Sequence, residues 1–260
     1  MPNIWQNELN GGPYIDSGLV MLRSLKGRLN VRIYRLQIVG KNELAIMTNP
    51  ISDGHYIIDE YRESGKEIPV TISIGHHPGL YVTAASRPLG FGGELDLAGY
   101  MLNEPADLVL GKSVNMPVIA DSEIAIEGII RDPSKLIDEG PFGEWPGHHL
   151  GKRMTPVIEI TKITARVKPV FYDVAAARRE HLVMGMLSHS VSIYNRVKVD
   201  VPDLIDLYLP ASGSHRAICY LSIKKRHKGE AKRAALLTTL AYSSIKVSVV
   251  VDDDIDVRNE

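Results

Sequence analysis

Cysteine is almost absent from this chain, which has a single one, Cys219, among 260 residues. One thiol cannot form an intramolecular disulfide, and it excludes zinc or iron–sulfur sites built from several cysteines. Cys219 lies within the apolar stretch Ala217–Ile223. We therefore expect a buried strand thiol rather than a nucleophile.

The sequence also lacks long apolar runs and a strong net charge. No run approaches about 18 consecutive apolar residues, so no transmembrane helix is expected. The first residues contain neither a basic segment nor an apolar core, which predicts no signal peptide and a cytoplasmic protein. The formal net charge of −1 argues against nucleic acid or an anionic membrane as the main partner.

The composition is that of a globular protein, with 44% hydrophobic and 23% charged residues. Between residues 30 and 168, alternating apolar residues predict many strands and few helices, which favours a β-barrel or sandwich with inserted helices. From 169 to 260 strands alternate with helices, which predicts a small α/β domain. Residues 1–29 are rich in turn signals.

Two glutamates bracket a turn of glycine, proline and phenylalanine in the run Glu139-Gly-Pro-Phe-Gly-Glu144. Because glycine and proline shape the backbone, we expect the two acids to lie at a set spacing on a defined loop. Carboxylates confined in a partly apolar site have their pKa values pushed apart, which suits general acid–base chemistry. A solvated surface turn is the alternative interpretation.

Two further residues are candidates for the same site. Arg35 lies on the alternating pattern Val31–Val39, where it would orient an anionic substrate or face solvent. Glu94 opens a helix after the glycine-rich run Leu89–Gly93, where it would ligate a hard metal ion or stabilise the helix N-terminus. The glycine spacing does not match the dinucleotide-binding fingerprint. A metal hydrolase using Glu94 and the acid pair is one further hypothesis.

Five motifs occur in order along the chain: Asn30-x-x-Ile33-Tyr34-Arg35-x-Gln37, Glu94-x-Asp96-x-Ala98-Gly99, Glu127-Gly128, Glu139-Gly-Pro-Phe-Gly-Glu144 and Val251-Asp-Asp-Asp-Ile-Asp256. Together they resemble the UbiD-type decarboxylases, prenylated-flavin enzymes that remove CO2 reversibly from aromatic and α,β-unsaturated acids. The similarity runs from about residue 10 to residue 260.

The resemblance implies an α+β fold. It implies a split β-barrel domain over residues 30–168 that binds prenylated FMN, and an α/β C-terminal domain over 169–260 that serves in oligomerisation, as a dimer or hexamer. Residues 1–29 would then be the remnant of a longer N-terminal region. Compared with the family, the chain looks truncated at both ends.

The resemblance also implies a catalytic set, which falls on Arg35, Glu139 and Glu144. Glu144 would donate the proton, and Arg35 would hold the substrate carboxylate with Glu139 beside it. This division is chemically sensible, because the flavin takes up electrons as CO2 leaves and an acid must then protonate the remaining carbon.

Family members bind the flavin together with a divalent metal ion, usually manganese, and a nearby potassium ion. The metal ligands correspond to Asn30, Asp53 and Glu94, with His55 as an alternative to Asp53. The implied cofactor-binding residues are Asn30, Ile33, Tyr34, Arg35, Ser52, Asp53, Glu94 and Lys246.

The function implied is reversible, non-oxidative decarboxylation of hydroxybenzoate-like or other unsaturated acids. A flavin prenyltransferase would supply the cofactor. The alternative hypothesis is a catalytically impaired subunit that acts as an assembly or binding module.

Overall fold

The computed structural model describes residues 4–86 and 92–259. The chain divides into two compact units, Met1–Ala177 and Arg178–Glu260. The sequence predicted a boundary after Lys168, whereas the division of the structure follows Ala177.

The first unit consists mainly of strands with three helices. In chain order its strands are β1 (Tyr14–Ile15), β2 (Leu19–Arg23), β3 (Leu29–Ile33), β4 (Arg35–Gly40), β5 (Glu43–Met47), β6 (Ile68–Ile74), β7 (Leu108–Leu110), β8 (Pro117–Ile119), β9 (Ile124–Ile130), β10 (Leu136–Glu139), β11 (Phe142–Gly143), β12 (His149–Leu150) and β13 (Arg153–Ala165). Its helices are α1 (Asp53–Ser64), α2 (Pro78–Ala85) and α3 (Glu94–Leu102).

One large sheet curls into a half-barrel. Its strand order is β1-β4-β5-β13-β9-β6-β2-β3, with β10 paired to β13. β3 is the last strand of this order and β4 is the second, yet only Tyr34 separates them in the chain. The sheet must therefore curl until its two ends approach each other. Arg35, the first residue of β4, lies at this junction.

The half-barrel surrounds an apolar core. Ile57, Ile58 and Tyr61 on α1 pack against inward-facing residues of the sheet such as Leu36 and Ile72. The helical spacing of Ile57, Ile58 and Tyr61 in the sequence predicts a helix from His55 to Gly65, and the structure confirms it over Asp53–Ser64. It begins after the N-cap Ser52, whose side chain accepts a hydrogen bond from the His55 N–H, and it ends at Gly65 in a left-handed conformation.

Two local sequence predictions were wrong in this unit. The pattern Val31–Val39 predicted one continuous strand, but the chain breaks at Tyr34 into β3 and β4. The segment Pro169–Asp173 was expected to be a strand and is irregular. Its polar groups bond to the segment after β1 instead of to a neighbouring strand. The Tyr172 carbonyl accepts from Ser17 Oγ, and the Asp173 carboxylate accepts from the backbone N–H of Asp16.

The second unit is a small α/β domain, as the sequence predicted. Its elements are α4 (Arg179–Asp200), β14 (Leu204–Tyr208), a short 3₁₀ helix (Ala211–Gly213), β15 (Ile218–Ile223), α5 (Glu230–Ala241) and β16 (Val247–Asp252). β15 pairs antiparallel with β14 and parallel with β16. Cys219 is fully buried on β15, as expected. Over residues 4–86 and 92–259, no helix is both long and apolar enough to cross a membrane.

Two isoleucines of the large sheet provide a test of this core. Ile72 is 1% exposed and Ile163 is 46% exposed. We expect Ile72→Ala to lower the free energy of unfolding by about 2–5 kcal/mol, because it leaves a cavity in the barrel. The matched control Ile163→Ala should cost less than about 1 kcal/mol. Denaturant unfolding measures both, and equal losses would contradict the assignment of the barrel core.

Candidate active site

Arg35, Glu139 and Glu144 meet in space, although about a hundred residues separate the arginine from the two acids. Arg35 opens β4 and Glu139 ends β10. Arg35 Nε and Nη2 donate to Glu139 Oε1 and Oε2 at 2.9 and 2.7 Å, which is a bidentate pair. Arg35 Nη1 donates to Glu144 Oε1 at 2.5 Å. One guanidinium therefore holds both acids of the predicted loop.

The two acids differ in their exposure to solvent. The Glu139 side chain is fully buried, whereas that of Glu144 is 25% exposed. Glu139 has both oxygens occupied by Arg35, and Glu144 has a single contact with it. Glu139 is thus held on both oxygens away from solvent, whereas Glu144 has one contact with the guanidinium and is partly open to solvent.

Tyr14 is a site residue that the sequence interpretation missed. Its hydroxyl donates to Glu139 Oε1 at 3.0 Å. Its ring lies 4.5 Å from the Phe142 ring, and the Arg35 guanidinium lies 4.6 Å above the same Phe142 ring. Burial and the Glu139 charge raise the pKa of Tyr14, so the hydroxyl keeps its proton and remains a donor. The turn-rich segment around Tyr14 carried no pattern that pointed to this contact.

The acid loop is anchored by a short segment before β1. The Gly11 N–H donates to the Pro141 carbonyl at 2.7 Å. Gln37 links the two segments. Its Nε2 donates to the Gly11 carbonyl at 2.9 Å, and its Oε1 accepts from the Gly140 N–H at 3.0 Å. A Cβ on Gly11 would lie 2.1 Å from the Gly140 carbonyl oxygen, so only glycine permits this approach.

One histidine of the 148–149 pair also supports the loop. Asn10 Oδ1 accepts from the Gly143 N–H at 3.2 Å, and His149 Nε2 lies 3.1 Å from the same oxygen. The sequence assigned no role to His149. Its position beside Gly143 makes it a support for the loop that carries Glu144.

A second polar corner lies at the end of β3. Asn30 is buried, its Oδ1 accepts from the Tyr34 hydroxyl at 3.0 Å, and its Nδ2 has no hydrogen-bond partner. Glu94 is also buried and accepts from the Val31 N–H at 3.4 Å. Burial raises the pKa of Glu94, and the charge of Asp53 acts in the same direction. The unpaired Asn30 Nδ2 is a donor and fits an anionic group, whereas the buried Glu94 carboxylate, on which Arg32 acts in the opposite direction to burial, fits a hard cation.

The third predicted ligand has two candidates, Asp53 and His55, which make different contacts. Asp53 acts electrostatically on Glu94, and its carboxylate pairs with Arg28 at 3.1 Å. His55 turns its ring to the Thr48 hydroxyl at 3.0 Å and lies 3.6 Å from Asp59. The choice between Asp53 and His55 stays a prediction. Within the described ranges, no three His, Cys, Asp or Glu side chains form a metal site by themselves.

The remaining predicted cofactor residues belong to different elements of the chain. Ile33 ends β3 beside Tyr34, and Ser52 is the N-cap of α1. Lys246 lies in the second unit, just before β16, and its role stays a prediction. Residues 87–91, which include the first three residues of the glycine-rich run, lie outside the described residues.

Two family models cover nearly the whole chain. The model for the 3-octaprenyl-4-hydroxybenzoate carboxy-lyase Rift-related domain of UbiD matches residues 1–179. The model for the C-terminal domain of the same carboxy-lyases matches residues 182–260. The chain therefore belongs to the UbiD family, as its five motifs indicated.

Curated relatives from distant organisms are similar over the entire chain. A phenolic acid decarboxylase of Bacillus subtilis is 34% identical over 97% of this chain and 55% of its own length. An anhydromevalonate phosphate decarboxylase of Methanosarcina mazei is 32% identical over 99% of this chain and 60% of its own length. The chain thus spans little more than half the length of these relatives.

Solved structures agree with the fold. The UbiD-class enzyme HmfF from Pelotomaculum thermopropionicum, in complex with prFMN, superposes with a TM-score of 0.94 at 33% identity, covering 99% of this chain and 60% of that one. A vanillic acid decarboxylase of Sedimentibacter hydroxybenzoicus gives a TM-score of 0.85 at 28% identity, covering 97% and 55%. The half-barrel and the α/β unit are those of UbiD-class structures.

The contact between Tyr14 and Glu139 has a measurable consequence. Tyr14→Phe removes a single oxygen and leaves the buried Glu139 carboxylate with one donor fewer. We expect the free energy of unfolding to fall by about 1–3 kcal/mol. The control Tyr56→Phe removes the hydroxyl of an exposed tyrosine and should change it by less than about 0.5 kcal/mol. Urea unfolding of both variants measures these changes. A Tyr14→Phe protein with an unchanged free energy of unfolding would show that Glu139 does not depend on this hydroxyl.

Proposed function

We propose that this chain is a reversible, non-oxidative decarboxylase of aromatic or α,β-unsaturated acids that uses prenylated FMN and a divalent metal ion. The observation that carries the proposal is the asymmetric Arg35–Glu139–Glu144 cluster, with one fixed acid and one partly exposed acid on a single guanidinium. Relatives that act on phenolic and vanillic acids support a hydroxybenzoate-like substrate.

In this proposal Arg35, Glu139 and Glu144 have different roles, which depend on their positions. Arg35 would bind the substrate carboxylate through the Nη1 edge that now holds Glu144. Glu139, buried and bound on both oxygens, keeps the guanidinium in place and balances its charge. When a substrate carboxylate takes Nη1, Glu144 is released to pick up a proton from solvent and pass it to the carbon that loses CO2.

The polar corner at the end of β3 suits the cofactor phosphate and its metal ion. Asn30, Asp53 and Glu94 would offer oxygen ligands, which manganese and magnesium prefer. We expect a potassium ion near the same phosphate. The prenylated flavin, when bound, supplies the electron sink that decarboxylation of these acids requires.

Two further parts of the proposal concern partners. A flavin prenyltransferase would supply the cofactor. We expect the Arg178–Glu260 unit to serve in a homo-oligomer.

Cofactor retention tests the proposal directly. Protein produced together with a flavin prenyltransferase should carry prenylated FMN, as identified by mass spectrometry of the released cofactor. Protein produced without it should carry none. Glu94→Gln should reduce the retained flavin at least tenfold, because a metal ligand that anchors the phosphate is lost, whereas the exposed control Glu63→Gln should not. A well-folded protein that never retains flavin would instead favour the assembly-module alternative.

Glu144→Gln tests the assignment of the proton donor. The amide keeps the shape of the side chain and cannot donate an acidic proton, so we expect decarboxylation to slow about 100-fold or more with the flavin still bound. Asp138→Asn is the control, since Asp138 lies next to Glu139 but pairs with Lys152 at the surface. Turnover is measured as CO2 release from hydroxybenzoates. A Glu144→Gln enzyme with wild-type turnover would rule out Glu144 as the donor.

A further inference from the structure

Three buried oxygen atoms near the end of β1 have no hydrogen-bond donor among the described residues. Asp16 is 8% exposed, and neither of its carboxyl oxygens makes a hydrogen bond. Gln6 Oε1 is buried and unpaired as well. Asp173 links the group, because its Oδ1 accepts from the Asp16 N–H at 3.0 Å and its Oδ2 accepts from Gln6 Nε2. Unpaired acceptors of this kind are costly to bury without a ligand.

The acids of this cluster also lack a counter-charge. Among the ion pairs formed by the described residues, none includes Asp16 or Asp173. Arg35 acts on Asp16 electrostatically, but its donors are committed to Glu139 and Glu144. Two neighbouring carboxylates in the interior therefore form no ion pair with a cation of residues 4–86 or 92–259.

A single proton would not satisfy the cluster. Burial and the charge of Asp173 raise the pKa of Asp16 to about 8, although the Gln6 amide and Arg35 act in the opposite direction. A protonated Asp16 would supply one donor, and three acceptors are unpaired. A metal cation accepts several oxygen ligands and would neutralise both carboxylates.

We propose that Asp16, Asp173 and Gln6 form a second cation site, separate from the Asn30–Glu94 corner. Its ligands are two carboxylates and an amide oxygen, a set that selects a hard cation. The three residues come from separate segments of irregular geometry. Ca2+ tolerates such a set better than Mg2+, which demands a near-ideal octahedron, so calcium is the expected ion. The site would tie the segment after β13 to the start of the barrel.

Two tyrosines lie against the cluster and offer a direct probe. The Tyr81 hydroxyl is buried, and the charge of Asp173 contributes to raising its pKa to about 12, after the larger effect of burial. The Tyr81 and Tyr172 rings are 5.2 Å apart, and Tyr172 directly precedes Asp173. A terbium ion that replaces calcium at this site would be excited through these rings.

Thermal unfolding of the intact chain is the first test. After chelation, addition of about 100 Kd of CaCl2 should raise the Tm by about 5 °C, because the ion binds only the folded state. The shift should persist in Glu94→Gln, which removes a ligand of the other corner, and in the surface control Asp138→Asn. It should disappear in Asp16→Asn, which is expected to fold because it removes an uncompensated buried charge.

Terbium luminescence is the second test. Tb3+ emission excited through tyrosine should appear with wild-type protein, decline when Ca2+ is added, and fall at least tenfold in both Asp16→Asn and Asp173→Asn. A wild-type protein with neither a Ca2+-dependent Tm nor displaceable terbium emission would overturn the proposal and leave a shared proton as the neutralising group. An Asp16→Asn variant that keeps both signals would also overturn it. These readouts do not depend on flavin binding, so the decarboxylase proposal stands or fails separately.

Discussion

The buried pair of Arg35 and Glu139 is the constraint on which the rest of the site depends. A fully buried carboxylate is tolerable only when an opposite charge meets it with good geometry, and removal of one partner from such a pair typically costs about 3–5 kcal/mol. Both oxygens of Glu139 are bound by Arg35, and Tyr14 adds a third hydrogen bond. The start of β4 and the end of β10 must consequently stay close together, and the anchoring of Gly11 and Gln37 to the acid loop serves this requirement.

Tyr34 connects this pair to the polar corner at the end of β3. It occupies the break between β3 and β4, and its hydroxyl donates to Asn30 and accepts from the Gly54 N–H at 3.1 Å. A Cβ on Gly54 would lie 2.2 Å from that hydroxyl oxygen, so the start of α1 needs a glycine there. The curl of the sheet thus brings the arginine of one strand and the asparagine of the preceding strand to neighbouring positions. The proposed cofactor site is a consequence of this junction.

Local motifs carried most of what could be predicted. Glu139 and Glu144 lie five residues apart on a loop shaped by glycine and proline, and Asn30 and Arg35 lie on one stretch of chain, so short motifs could group each pair. Tyr14 could not be found this way, because 125 residues separate it from Glu139 and no periodic pattern surrounds it. The break at Tyr34 was missed for a related reason. Alternation of apolar residues indicates a strand, but the curl of the sheet depends on contacts between residues far apart in sequence. The wrong strand at Pro169–Asp173 likewise reflects side chains and carbonyls engaged by distant residues.

The different roles proposed for the two acids follow from their burial rather than from their chemistry, which is identical. Glu139 has no contact with solvent and no free oxygen, so exchanging a proton would require breaking the bidentate pair. Glu144 gives up only one hydrogen bond when it leaves the guanidinium, and a quarter of its side chain already meets solvent. A substrate carboxylate that competes for Arg35 Nη1 would therefore displace Glu144 and leave Glu139 in place. The same binding event would then position the substrate and release the acid that protonates its product.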